Sequence, residues 1–248
     1  MAENLSRQEK REIERLEKGQ TGEGGDFGAY HALLTGKGGE LAAAHAVSQE
    51  GYLASYSRQL RSILDGFGLK GRLAILDVGC GPGALTNALR AAAPQAQITG
   101  IDISESAIAY AQKTYPNCRF TVVSVDENMR LETFDVVHSR EFYPFTRTAD
   151  IEFHREYLRI LARHVSPNGT LILTLRDTPK SLSRNASALS ADLEQLGMTP
   201  FRRILLANAA LPRWIPPSIA RAVTSGVLKL LGRDEVHFYV SRRTSATS

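Results

Sequence analysis

Nowhere does this 248-residue chain hold an apolar run approaching the roughly 18–20 residues of a membrane-spanning helix. Only two cysteines occur, Cys80 and Cys118, and neither belongs to a CxxC pair, which excludes a disulfide framework. The six histidines (His31, His45, His138, His154, His164 and His237) show no HxxxH spacing, so no protein-ligated metal is expected. The N-terminus, MAENLSRQEKREIERLEKG, lacks the apolar core of a secretory signal, and a cytoplasmic location is expected. Internal repeats and low-complexity tracts are absent too. Even the charge is nearly balanced, at +4. It is unevenly placed, however. Residues 201–248 hold eight Arg/Lys against Asp234 and Glu235, or +6, and the first 200 carry 22 minus 24, or −2. Attraction to an acidic partner is therefore expected at the C-terminal segment.

Hydrophobic content of 43% and charged content of 23% are those of a globular protein, and the length suits one larger domain with appendages. Residues 6–18 read as a solvated helix, with Ser6 and Glu9 as a capping box. The glycine clusters GQTGEGGDFG and TGKGGE do not follow an apolar strand. A Walker loop would need Gly at His31 and Ser/Thr at Gly38, so both clusters read as hinges around a short helix over 28–35. Leu53, Tyr56, Leu60 and Leu64 recur at helical spacing within 40–64.

From Arg72 onward, short apolar runs alternate with helical stretches. LAILDV, ITGIDI, RFTVVSV, FDVVHS, TLILTL, FRRILL and VHFYVS read as seven strands. Helices are predicted over GALTNALRAA, after Ser104 as a cap, and over 183–196. Another has Ile151, Tyr157, Leu158, Leu161 and Val165 on its inner face and is closed by the turn SPNG. This alternation predicts an open α/β sheet, mostly parallel, with helices on both faces. The division expected is an N-terminal helical extension and lid over 1–64, then a Rossmann-like domain over 65–248. That domain carries an insertion at 208–233, whose helix has Ile219, Val223, Val227, Leu230 and Leu231 on one stripe. The insertion is expected to cap a substrate pocket, with a homodimer interface or peripheral membrane contact through 211–231 as alternatives.

Ligands of open α/β sheets bind beyond the carboxyl ends of the strands. There the first strand runs into Asp77-Val78-Gly79-Cys80-Gly81-Pro82-Gly83, whose glycines let backbone approach a ligand. The next helix offers free N–H groups to a carboxylate. Asp102, at the end of the second strand, can accept both hydroxyls of a ribose. A nicotinamide-binding loop shares these features, but its pattern is GxGxxG rather than GxGxG. An acid at Asp77 would repel a pyrophosphate and suits an ammonium group.

ILDVGCGPGALT with GIDIS resembles the first two motifs of the class I S-adenosylmethionine-dependent methyltransferase family. SVD at 124–126 resembles the third, whose acid meets the adenine amino group. FDVVHSRE and LARHVSPNGTLILTL resemble the fourth motif and the segment after it. The likeness covers about residues 72–241. It implies a seven-stranded sheet in the order 3-2-1-4-5-7-6 with the last strand antiparallel. S-adenosyl-L-methionine would be the cofactor, bound by Asp77, Gly79, Cys80, Gly81, Gly83, Asp102, Ile103, Asp126 and Ser139.

Transfer from a sulfonium needs mostly positioning of the acceptor, with a general base for an alcohol. Candidates for that base are His31 and Glu141, with His138, Tyr143 and Tyr30 nearby; a site without a dedicated base is the alternative. SREFYPF after the fourth strand departs from the (D/N/S)PP(Y/F/W) of relatives acting on nucleobase or glutamine nitrogens, so no DNA partner is expected. LRDTPK offers only Asp177 where metal-dependent catechol-type relatives need an Asp–Asn pair. The reading is O-methylation of a small molecule in biosynthesis. Its rivals are a macromolecular or membrane-associated acceptor (RNA, glycan or lipid) and a non-catalytic binding subunit.

Overall fold

The computed structural model describes residues 31–244 except 33, 37–38, 209–210 and 212–213. The expected helix over 6–18, the first glycine cluster and Tyr30 lie outside the described residues. Helices α1 (Glu40–Ser48) and α2 (Glu50–Gly66) precede an alternating series. The series runs β1 (Ala74–Val78), α3 (Ala84–Ala92), β2 (Gln97–Asp102), α4 (Glu105–Thr114), β3 (Arg119–Val122), β4 (Phe134–Arg140) and α5 (Tyr143–Thr146). It continues through α6 (Ile151–Arg163), β5 (Val165–Arg176), a 3-10 turn (Leu182–Asn185), α7 (Ala186–Gln195), β6 (Arg202–Leu205), α8 (Pro217–Leu230) and β7 (Val236–Arg242).

The strands form one sheet in the order β3-β2-β1-β4-β5-β7-β6, as the resemblance implies. β7 is antiparallel to both neighbours, and the pairs from β3 to β5 are parallel. Side chains alternate along each strand. Ile75, Val136, Ile172 and Phe238 therefore join Tyr56, Leu60 and Leu89 on one face. Leu76, Val137, Leu171 and Leu173 join Leu158, Leu161 and Leu189 on the other. The proposed division at 64/65 thus falls within α2, a helix that supplies part of the sheet's core.

Local differences from the sequence reading have physical causes. The helix over 40–64 is interrupted at Gln49. β3 stops at Val122 because its partner there is Asp102, the last residue of β2. Val165 pairs with Phe134 as the start of β5, so it is not on the face of α6. Asp150, absent from the sequence reading, caps α6 by accepting from the N–H groups of Glu152 and Phe153.

α8 does not pack its apolar stripe on the described body of the domain. Its buried contacts are the small Ala220 and Thr224, and the Thr224 hydroxyl accepts from Asn208 N–H. Small residues let this side of the helix approach the body. The bulky Ile219, Val223, Val227 and Leu230 are left facing solvent. Among the described residues, no helix is long and apolar enough to cross a membrane.

Two histidines beneath the sheet set an acid limit on the fold. Burial pushes His154 and His164 below the ordinary histidine value. Protons then bind the unfolded chain more readily than the folded one. The stabilisation is complete above about pH 6.5 and is lost as pH falls through the lowered values. The melting temperature is expected to fall between pH 7 and pH 5, and less steeply in His154→Gln. Parallel profiles for the two proteins would contradict this assignment.

Candidate functional site

Register places three segments at one edge of the sheet. Val78 pairs with both Ile101 and Ser139, so the carboxyl ends of β1, β2 and β4 lie level. The loop after β1 folds back on β2 through Gly79 N–H and Cys80 N–H, which both donate to Ile101 C=O. Gly81 N–H donates to Asp102 Oδ2 at 2.9 Å, and Ser104 N–H donates to Asp102 Oδ1 at 2.9 Å. One carboxylate thereby ties the glycine loop to the start of α4. Its remaining lone pairs can still accept from hydroxyls.

Gly79, Gly81 and Gly83 all adopt left-handed φ, at 71°, 51° and 86°. Gly83 has a second constraint, because a Cβ there would lie 2.8 Å from Ala111 Cβ and 2.9 Å from the Phe120 ring. Any side chain would push α3 away from α4 and β3. Gly100 was missed in the sequence: a Cβ on it would meet Cys80 Sγ at 2.9 Å. Cys80 is buried there, and burial pushes its thiol far above the ordinary range, which suits packing rather than nucleophilic attack.

Asp77 is buried, and both of its carboxylate oxygens have partners in the interior. Its Oδ2 accepts from Thr86 Oγ1 at 2.6 Å, and its Oδ1 lies 2.8 Å from His138 Nδ1. The other ring nitrogen, His138 Nε2, is 2.6 Å from the Tyr56 hydroxyl, which is 2.7 Å from Thr174 Oγ1. One assignment of protons satisfies the whole chain. Thr174 donates to Tyr56, Tyr56 to Nε2, and Nδ1–H to Asp77. Burial holds the Tyr56 phenol well above its usual value, in keeping with a neutral donor. His138 is thus turned into the interior, and the relay joins α2, β5, β4, β1 and α3.

The other sequence candidates divide. Ile103 projects beside Asp102 and is 66% exposed, a large apolar side chain available to a flat ring. Ser139 is buried at the end of β4. Asp126 is half-buried and accepts from Asn128 N–H. His31 lies over the loop: its Nδ1 is 3.7 Å from Asp102 Oδ1, and its Nε2 is 3.3 Å from where a Cβ on Gly81 would stand. Burial lowers its pKa, and the nearby Asp102 only partly offsets this, which favours the neutral ring. Glu141 stands apart from His31, at the start of the β4–α5 turn. It has φ 51°, a left-handed conformation that costs a non-glycine residue energy, and its Oε1 accepts from Arg176 N–H. Phe142 then covers the loop, 2.9 Å from where a Cβ on Gly79 would stand, and packs its ring against Phe145 and Tyr157. Asp177 is occupied within the sheet. Burial pushes its carboxyl up, but hydrogen bonds from His237 and Tyr239 outweigh this and hold it below the usual range.

A sheet of this order with β7 reversed, carrying an acid–glycine–acid edge, defines the class I S-adenosylmethionine-dependent methyltransferases. A family model described as a methyltransferase domain matches residues 69–210, and the chain belongs to that family. It is 32% identical over 122 residues to trans-aconitate 2-methyltransferase of Klebsiella pneumoniae, covering 49% of this chain and 46% of that protein. Over 99 residues it is 35% identical to malonyl-[acyl-carrier protein] O-methyltransferase of Acetivibrio thermocellus, covering 38% of this chain and 35% of that protein. The chain spans about half or less of the length of these curated relatives. A crystal structure of an S-adenosylmethionine-dependent methyltransferase from Clostridium acetobutylicum superposes with a TM-score of 0.55 at 11% identity. That match covers 77% of this chain and 92% of the other, and it shows a shared fold.

Proposed function

We propose that this protein transfers a methyl group from S-adenosylmethionine to oxygen of a small acceptor in cytoplasmic biosynthesis. The observation that carries the donor reading is the Asp102 carboxylate, bridging Gly81 and Ser104 beside exposed Ile103. When bound, the donor supplies an electrophilic methyl group on sulfur. Asp102 would accept from its ribose hydroxyls, and Ile103 would pack on the adenine. Asp126 would border the base and Ser139 would line the donor site at the end of β4, and the first-turn N–H groups of α3, which have no helical acceptor, would meet the carboxylate. Gly79, Cys80, Gly81 and Gly83 form the backbone floor. Asp77 supports that floor from behind through Thr86 and His138. His31, which lies over Asp102, would belong to the lid expected over 1–64.

The named relatives support a carboxylate-bearing acceptor, since one acts on trans-aconitate and the other is a malonyl O-methyltransferase. A carboxylate is nucleophilic without deprotonation by the enzyme. If the acceptor is instead an alcohol, neutral His31 is the proton acceptor and Glu141 its competitor. Loss of turnover in His31→Ala or Glu141→Ala with unchanged donor affinity would identify the base. Near-normal rates in both would leave positioning alone.

The reading is tested with purified protein, methyl-labelled donor and fractionated extract. Label is expected in the small-molecule fraction. Label only in RNA or lipid would move the acceptor to a macromolecule, and donor binding without any transfer would make the chain a binding subunit. Asp177 is held by His237 and Tyr239, so a divalent ion is not expected to be needed. Turnover should survive EDTA, and a loss restored by magnesium would refute that.

A further inference from the structure

We infer that α8, with Trp214 just before it, is a docking surface for an anionic lipid bilayer. Trp214 and Leu230 are 82% and 86% exposed, and Ile219, Val223 and Val227 continue an apolar ridge between them. Such a ridge, on a helix whose opposite side meets the body through Ala220, Thr224 and Ser225, matches an interfacial helix, with its apolar side in the acyl boundary and cations at the headgroups.

Charge selects the occupant. Arg221 and Lys229 lie on α8, Arg233 follows its C-terminus, and Arg202 on β6 is close enough to Arg221 for the two cations to repel. Among the described residues, no ion pair is formed by these four cations. Glu235, one of the segment's two acids, is held by Ser225 and lies near His237. A second copy packed on this ridge would bring its own Lys229 and Arg233 against the same cations. A surface of phosphate headgroups instead satisfies the cations while covering the ridge. This inference does not depend on the methyl-transfer reading.

Trp214 is the only tryptophan, so its emission reports directly on the patch. The full chain is titrated with phosphatidylcholine vesicles, with and without phosphatidylglycerol, some carrying brominated tails. Blue-shifted emission and bromine quenching are expected with the anionic vesicles alone. Lys229→Glu with Arg233→Glu should weaken that binding by about tenfold or more. Val223→Ser with Leu230→Ser should remove the quenching while leaving the melting temperature unchanged. Emission unaffected by anionic vesicles would overturn the inference. So would a lipid-independent shift that rises with protein concentration alongside a sedimenting dimer, which would assign the ridge to a second copy. Calorimetry of the donor on the same samples reports separately on the methyltransferase site.

Discussion

Replacing Asp102 with alanine is expected to weaken S-adenosylmethionine binding by at least about tenfold, or roughly 1.4 kcal/mol. Two effects act in the same direction. The variant loses acceptance from the ribose hydroxyls, at about 1.5–3 kcal/mol for a hydrogen bond to a charged group. It also leaves Gly81 N–H and Ser104 N–H without their acceptor, so the loop is no longer tied to α4. Asp102→Asn should fall between wild type and alanine. It has one carbonyl oxygen for two N–H donors and points an NH2 group at the second. Asp126→Ala should weaken binding less than Asp102→Ala, because Asp126 would meet only the base and its carboxylate ties no part of the glycine loop, accepting from Asn128 within its own turn. Calorimetric titration with the donor or its demethylated product would measure all three. An Asp102→Ala affinity within twofold of wild type would place the ribose elsewhere.

The second large effect is expected at Asp77, through stability. Asp77→Ala leaves His138 Nδ1–H and the Thr86 hydroxyl without acceptors in a site closed to water. Each unsatisfied buried group costs about 1–3 kcal/mol, so a loss on the order of 3 kcal/mol is expected. In a chain of this size, that corresponds to a fall in melting temperature of roughly 6–12 °C. Tyr56→Phe breaks the same relay at its far end. The double variant should depart from additivity by at least about 0.5 kcal/mol, since the two groups share His138. Strict additivity in denaturant unfolding would mean that the relay does not act as a unit. Donor affinity should fall in Asp77→Ala as well, because the glycine loop begins two residues later.

Much of the site was legible because it is local. Within 75–86 the glycines, the acid and the following helix are consecutive, and left-handed φ at Gly79, Gly81 and Gly83 is available to glycine at little cost. Asp102 was legible because strand ends in a parallel sheet share one edge. The sequence suits Asp77 to an ammonium group but gives no hint of Thr86 and His138 as its partners. Its partners are set by which side of β1 turns toward α3 and β4. Tyr56 appeared only as an apolar position on α2, and its hydroxyl's link to His138 spans 82 residues. No spacing rule reaches that far. Gly100 went unnoticed because its close neighbour, Cys80, lies on a different element.

The ridge on α8 shows the same division. Helical periodicity determined that Ile219, Val223, Val227 and Leu230 share a stripe, since a helix repeats every 3.6 residues wherever it is placed. Whether that stripe turns inward or outward depends on which side of the helix can approach the body. That was decided by Ala220 and Thr224 meeting the segment around Asn208, a contact made only once β6 and the insertion are folded together. By itself, the sequence determined the order of strands and helices, the loop that floors the donor site and the basic C-terminal segment, because these follow from neighbours along the chain. Only the tertiary structure decided that Asp77 is walled in, that His31 lies over Asp102, and that the apolar ridge faces out, because each depends on groups brought together from distant parts of the chain.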